Sequence, residues 1–95
     1  MPHVERTRRA KTDAVQIWAY IAERNHVAAD ELIDRIDERL AMLATIPESA
    51  EAVPYIAPDV RRSSVGHYVI YFRPIENGIH VLRILHGARQ PEDVV

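Results

Sequence analysis

"HYVIYFRPIENGIHVLRILH", residues 67–86, decides the fold. Two runs rich in Val, Ile, Tyr and Phe flank Asn77-Gly78. β-Branched and aromatic side chains suit an extended, half-buried backbone. Asn-Gly between two such runs is a hairpin signal, because a type I′ turn needs positive φ at both central positions. With Asn77 and Gly78 as the loop residues, Glu76 pairs with Ile79. One face of the hairpin then carries Tyr68, Ile70, Phe72, Val81, Arg83 and Leu85. The other carries His67, Val69, Tyr71, Arg73, His80, Leu82, Ile84 and His86. Both faces are apolar, so both need a cover.

Working outward, "VRRSSV" (60–65) reads as a strand feeding the hairpin through a turn at Gly66. Upstream the period changes from two to about 3.6 residues. Thr7 is an N-cap for a helix reaching to about Arg24, with Ala10, Ala14, Ile17, Trp18 and Ile21 as its apolar stripe and Asn25 as its stop. A second helix runs from about Ala28 to Ala44, with Leu32, Ile33, Ile36, Leu40 and Leu43 on one side. Pro47 ends it, since the residue before proline resists helical geometry. The short connection makes the two helices an antiparallel hairpin. "PESAEAVPYIAPD" (47–59), with three prolines and no period, is a loop. Residues 2–6 form a short strand. The order β-α-α-β-β-β gives an α+β, two-layer domain spanning 1–95, a helical hairpin packed on a small antiparallel sheet. Two helices cover only one sheet face. The face with more polar tips, bearing Tyr71, Leu82 and Ile84, is therefore expected to point outward and to meet a partner.

The 95 residues suffice for one thin core. No apolar run approaches a membrane span, and the charged start "MPHVERTRRAK" lacks a signal peptide's apolar stretch, so a cytoplasmic location is expected. Without cysteine there is no disulfide framework or thiol chemistry. Net charge is −2 but uneven: four basic groups and one acid give +3 over 1–12, ten acids and three arginines give −7 over 13–59, and five arginines and three acids give +2 over 60–95. An acidic middle argues against a duplex-binding protein, which normally shows a basic excess. The two basic ends would form a basic surface if they met.

Single residues narrow the chemistry. Arg83, set in an apolar strand, needs an anionic partner, and an acid of the helical hairpin is the expected one. Trp18 is expected in the core. His80 and His86 lie six residues apart on one strand, about 20 Å at ~3.3 Å per residue, too far to share a metal, and no metal or cofactor is expected. His67 approaches His86 across the hairpin. Gly87 lets the chain turn sharply after His86.

Four stretches together resemble ParE toxins of the ParE/RelE toxin–antitoxin superfamily: "IWAYIAERN" (17–25), "AADELIDRI" (28–36), "DVRRSSVGHYVIYFR" (59–73) and "GIHVLRILHGAR" (78–89). The resemblance implies the β-α-α-β-β-β fold, with the first strand beside the last. It implies the toxin of a type II system, inhibiting DNA gyrase and neutralised by a ParD-like ribbon-helix-helix antitoxin, and so growth inhibition and plasmid or chromosome maintenance. The toxin would form a hetero-oligomer with that antitoxin and would not by itself bind specific DNA. RelE-like relatives instead cut messenger RNA on the ribosome. Arg62 and Arg89 occupy basic positions of that nuclease pattern, with His86 as the candidate proton-transfer group. The pattern's usual arginine after Tyr68 is Val69, however, a further basic position is Ser64, and the tail "PEDVV" holds no tyrosine or histidine. A binding toxin is therefore the first expectation, and not an enzyme. A ribonuclease using Arg62, His86 and Arg89 is the alternative. A non-toxic antitoxin-binding co-repressor is the second alternative. Candidate contacts with gyrase or antitoxin are Arg61, Arg62, Tyr71, Arg73, Leu82, Ile84, His86 and Arg89.

Overall fold

Strand β1 (His3–Arg6) leads through Thr7 into helix α1 (Arg8–Ala22), followed by α2 (His26–Thr45), a 3-10 turn at Pro47–Ser49, and strands β2 (Glu51–Ala52), β3 (Arg61–Val65), β4 (Tyr68–Ile75) and β5 (Gly78–His86). A second 3-10 turn spans Pro91–Asp93. The computed structural model describes residues 2–89 and 91–94. These residues form a five-stranded sheet in the order β1-β5-β4-β3-β2. It is mixed rather than wholly antiparallel, because β1 runs parallel to β5, pairing His3–Arg6 with Gly78–Val81. None of the described helices is long and apolar enough to cross a membrane.

The helix boundaries follow their caps. Thr7 Oγ1 accepts from the Ala10 amide at 3.0 Å. Asn25, expected to stop α1, instead starts α2: its Oδ1 accepts from Ala28 N at 3.0 Å. An Asn side chain serves an N-cap better than a C-terminal stop unless the backbone is left-handed, and here φ is −157°. The α2 stripe is as expected, with Ile36, Leu40 and Leu43 fully buried. The α1 stripe is Ala10, Asp13, Ile17 and Ala22, flanked by Ala14 and Ile21. Trp18 is not in it. It is 36% exposed, sets its indole edge-on to His26 at 5.6 Å, and donates from Nε1 to Asp30 Oδ1 at 2.8 Å.

Two register facts re-sort the hairpin. Ile75 pairs with Gly78, so the loop is Glu76-Asn77, with Asn77 at φ 56°. Gly78 lies in the strand at φ 157°, where a Cβ would collide with the His3 carbonyl. The second fact is a bulge: Phe72 pairs with Val81 but Tyr71 pairs with Arg83, leaving Leu82 as the extra residue. Every β5 side chain beyond it changes face relative to a regular ladder. Ile84, expected outward, is 2% exposed in the helix-side core with Ile70, Phe72, Ile79 and Val81. Leu85, expected inward, joins Tyr71, Leu82 and Val69 on the other face.

That second face is covered by the chain itself. Val53 N donates to Val60 O at 2.9 Å, closing a loop whose Val53, Ile56, Ala57 and Val60 pack there with Val94. Tyr71 and Leu82 are only 6% and 8% exposed, so the expected bare apolar face is a second core. The missing cover was the proline-rich loop, whose valines and isoleucine are too widely spaced to show a period.

Candidate interaction surface

The arginines singled out in the sequence are mostly engaged. Arg61 donates from Nη1 to the Ala50 carbonyl at 2.7 Å, holding the chain between the first 3-10 turn and β2. Arg62 grips the Glu51 carboxylate with Nε at 3.3 Å and Nη2 at 3.1 Å. That hydrogen bond pushes its pKa up, against a smaller desolvation effect. Arg73 meets Asp59 at 2.9 Å, and Arg89 meets Asp93 at 3.1 Å. Two-point arginine–carboxylate geometry uses the planar fork that lysine lacks.

Arg83 finds its partner in the helical hairpin, at Asp13. Beyond Val81, β5 no longer has β1 beside it, and α1 begins there: Thr7 N donates to Val81 O and Thr7 Oγ1 to Leu82 O. Arg83 spans this gap, donating from Nε and Nη2 to Asp13 at 2.7 and 2.9 Å, while the Ile84 amide adds a third bond to the same carboxylate at 3.0 Å. The hydrogen bond to Asp13 raises the Arg83 pKa, outweighing desolvation. Arg83 Nη1 also donates to the Asp93 carbonyl at 2.7 Å, and Arg9 Nη2 joins it at 3.2 Å. The two basic ends thus converge on one carbonyl and one carboxylate of Asp93. Asp13 is thus the acid of the helical hairpin that Arg83 called for, a structural carboxylate that its own position in the sequence does not mark.

His86 stands at the end of β5. After the bulge it lies on the helix side, paired with Tyr68 and edge-on to its ring at 5.5 Å. The His67 ring stacks on it at 6.2 Å and 19°. Gly87 N donates to the His67 carbonyl at 2.8 Å, closing the end of the β4–β5 ladder; its φ is not in the left-handed region and a Cβ there would meet that oxygen at an ordinary 3.4 Å, so the turn after His86 does not depend on glycine. The two imidazoles border an open groove of ≈ 630 Å³ between the helical hairpin and the β3–β4 turn. Ile21 and Leu32 form its floor with Tyr68, and Arg35 and Tyr20 stand at its rim.

The candidates do not gather in one place. Arg62 pairs with Tyr71 on the face under the proline-rich loop, whereas His86 pairs with Tyr68 on the helix face. Their strand positions are three residues and two strands apart, about 10 Å in each direction. Arg61 and Arg73 are tied to neighbouring segments, and Tyr71, Leu82 and Ile84 are buried.

A helical hairpin laid on one face of a mixed sheet, with Arg62, Arg73, Arg83 and Arg89 paired to carboxylates and an open groove at the end of the last strand, is the α+β architecture expected of the ParE/RelE class. Residues 4–91 match the family described as ParE toxin of type II toxin-antitoxin system, parDE, and the chain belongs to that family. It is 31% identical over 86 residues to Toxin RelE1 of Caulobacter vibrioides, covering 86% of this chain and 89% of that one. Its fold is similar to a structure titled "Chromosomal ParDE TA system from P. aeruginosa", with a TM-score of 0.73, 24% identity, and coverage of 90% of this chain and 96% of the other.

Proposed function

We propose that this chain poisons DNA gyrase by binding it, is neutralised by a ParD-like ribbon-helix-helix antitoxin, and makes and breaks no bond itself. The observation that carries the reading is the separation of Arg62 from His86 by the sheet. Cleaving a phosphodiester needs charge stabilisation and proton transfer focused on one phosphate. Groups on opposite faces do not focus, and the carboxylate partners of Arg62 and Arg89 already take up their charge. Val69 and Ser64 stand where the nuclease pattern carries basic groups.

The test uses purified toxin in two assays. Supercoiling by gyrase is expected to fall with added toxin, and messenger in a translating extract is expected to stay intact by primer extension. Codon-phased cuts that vanish in His86→Ala would overturn the reading in favour of the ribonuclease, the mode that the name of the Caulobacter relative suggests. Silence in both assays, with antitoxin binding retained, identifies a co-repressor module.

A further inference from the structure

We propose that the groove between the first turns of α1 and Arg83 is a phosphate site, and that it takes up the backbone of duplex DNA held by the chain's target. The inference rests on the reading that this target is DNA gyrase, an enzyme that carries a duplex.

The groove, of ≈ 280 Å³, is lined by Arg8, Arg9, Thr12, Asp13 and Gln16 of α1 and by Arg83 of β5. Three arginines thus face one carboxylate. Asp13 is buried and already accepts three hydrogen bonds, two from Arg83 and one from the Ile84 amide, so its charge is matched by Arg83 alone. Arg9 is nonetheless drawn to Arg83. Arg9 Nη2 and Arg83 Nη1 donate to the same Asp93 carbonyl, at 3.2 and 2.7 Å. That oxygen carries no formal charge, and the Asp93 carboxylate is turned to Arg89 at 3.1 Å. Two guanidinium groups held on one neutral oxygen repel each other and gain from an anion that touches both. Arg8 and Lys11, neighbours on one side of the helix, are exposed, and among the described residues neither has an ion pair. The convergence is tertiary, joining arginines from opposite ends of the chain.

The arrangement suits a phosphodiester chain. A planar guanidinium fork matches two phosphate oxygens, and Thr12 and Gln16 add uncharged donors beside it. The groups run along α1: Arg8, Thr12 and Gln16 follow at four-residue intervals, about 6 Å per step at ~1.5 Å per residue. A row meets a linear polyanion better than it meets a single ion. Phosphate contacts position without reading bases, in keeping with a toxin that by itself binds no specific DNA. The contact alone is weak, because residues 13–59 carry −7 and repel DNA elsewhere. A duplex already held by the target supplies the missing strength through its high local concentration.

The probe is a short mixed-sequence DNA duplex, titrated into full-length isotope-labelled toxin and followed by NMR, and by fluorescence anisotropy over a series of salt concentrations. The signals of Arg8, Arg9, Thr12 and Gln16 are expected to shift. Log affinity is expected to fall against log salt with a slope of about −2, the counterion release of two phosphate contacts. Arg8→Gln and Arg9→Gln are each expected to reduce that slope by about 1, with the fold intact by amide spectrum. Arg35→Gln, at an exposed α2 cation that likewise has no ion pair among the described residues, is expected to leave it unchanged. A slope untouched by Arg8→Gln and Arg9→Gln, an equal loss from Arg35→Gln, or the same shifts with inorganic phosphate or a poly-glutamate peptide at matched charge overturns the proposal. In the supercoiling assay the Arg8→Gln, Arg9→Gln double variant is expected to need roughly tenfold more toxin for half inhibition. Inhibition at the wild-type concentration overturns the role at the target. Wild-type toxin that binds the duplex through Arg8 and Arg9 but leaves supercoiling untouched keeps the phosphate site and removes gyrase as the holder of the duplex.

Discussion

The ion pair of Asp13 and Arg83 is buried on both sides, with side chains 8% and 10% exposed. Removing one partner of such a pair leaves a buried charge uncompensated, so Asp13→Ala is expected to cost about 3–5 kcal/mol in chemical denaturation. The double change Asp13→Leu with Arg83→Met leaves no orphan charge and should recover much of that loss. A raised arginine pKa contributes stability that is complete below the ordinary guanidinium value and lost only as pH rises through the higher folded one. Through this group, therefore, stability is flat across the physiological range. Trp18 belongs to the opposite case. Its indole keeps more than a third of its surface in water and one hydrogen bond to Asp30, so Trp18→Ala is expected to cost about 1 kcal/mol, not the 3–5 kcal/mol of a core aromatic. A midpoint shift of core size would show the indole packed as the helical spacing first suggested. Spacing misled here because residue 18 stands at the edge of the stripe that contains Ile17.

Among the elements, β5 shows where sequence periodicity stops informing. Its apolar run alternates correctly up to Val81, and the bulge at Leu82 then reverses the remaining faces. Nothing in "VLRILH" announces an extra residue; the cause is tertiary, the departure of β1 and the arrival of α1 beside the strand. The helical hairpin, the Thr7 cap and the β4–β5 hairpin were legible because each is local. The cover of the outer face was not, because its residues Val53, Val60 and Val94 come from a loop and a tail; Val95, at the end of that tail, lies outside the described residues. Leu82→Ala and Leu85→Ala are each expected to lose about 2–5 kcal/mol in urea unfolding, as buried leucines do. Unchanged midpoints would mean that the loop is no true cover and that this face is open to partners. Gly78→Ala sets a methyl against the His3 carbonyl. It is expected to detach β1, read as fast amide exchange at residues 3–6 with the β3–β4 pairing still protected.

Across the whole molecule, Arg6, Arg62, Arg73, Arg83 and Arg89 each lie against a carboxylate. The ends that carry +3 and +2 in sequence meet at Asp93, and Arg62 and Arg73 each have a carboxylate from the acidic middle. Arg62→Ala is therefore expected to change antitoxin association and its salt dependence less than Arg35→Glu does, measured by stopped flow at two ionic strengths, since steering follows the uncompensated field. The parallel pairing of β1 with β5 bears on timing. The first strand waits for the last, and strand β4 and both helices pack against β5 as well. Contacts so distant along the chain form late and slowly. A ribosome halted anywhere before residue 78 holds a chain whose β1, β4 and both helices still lack the strand they pack against, so sheet and helical layer close together in one step once β5 emerges.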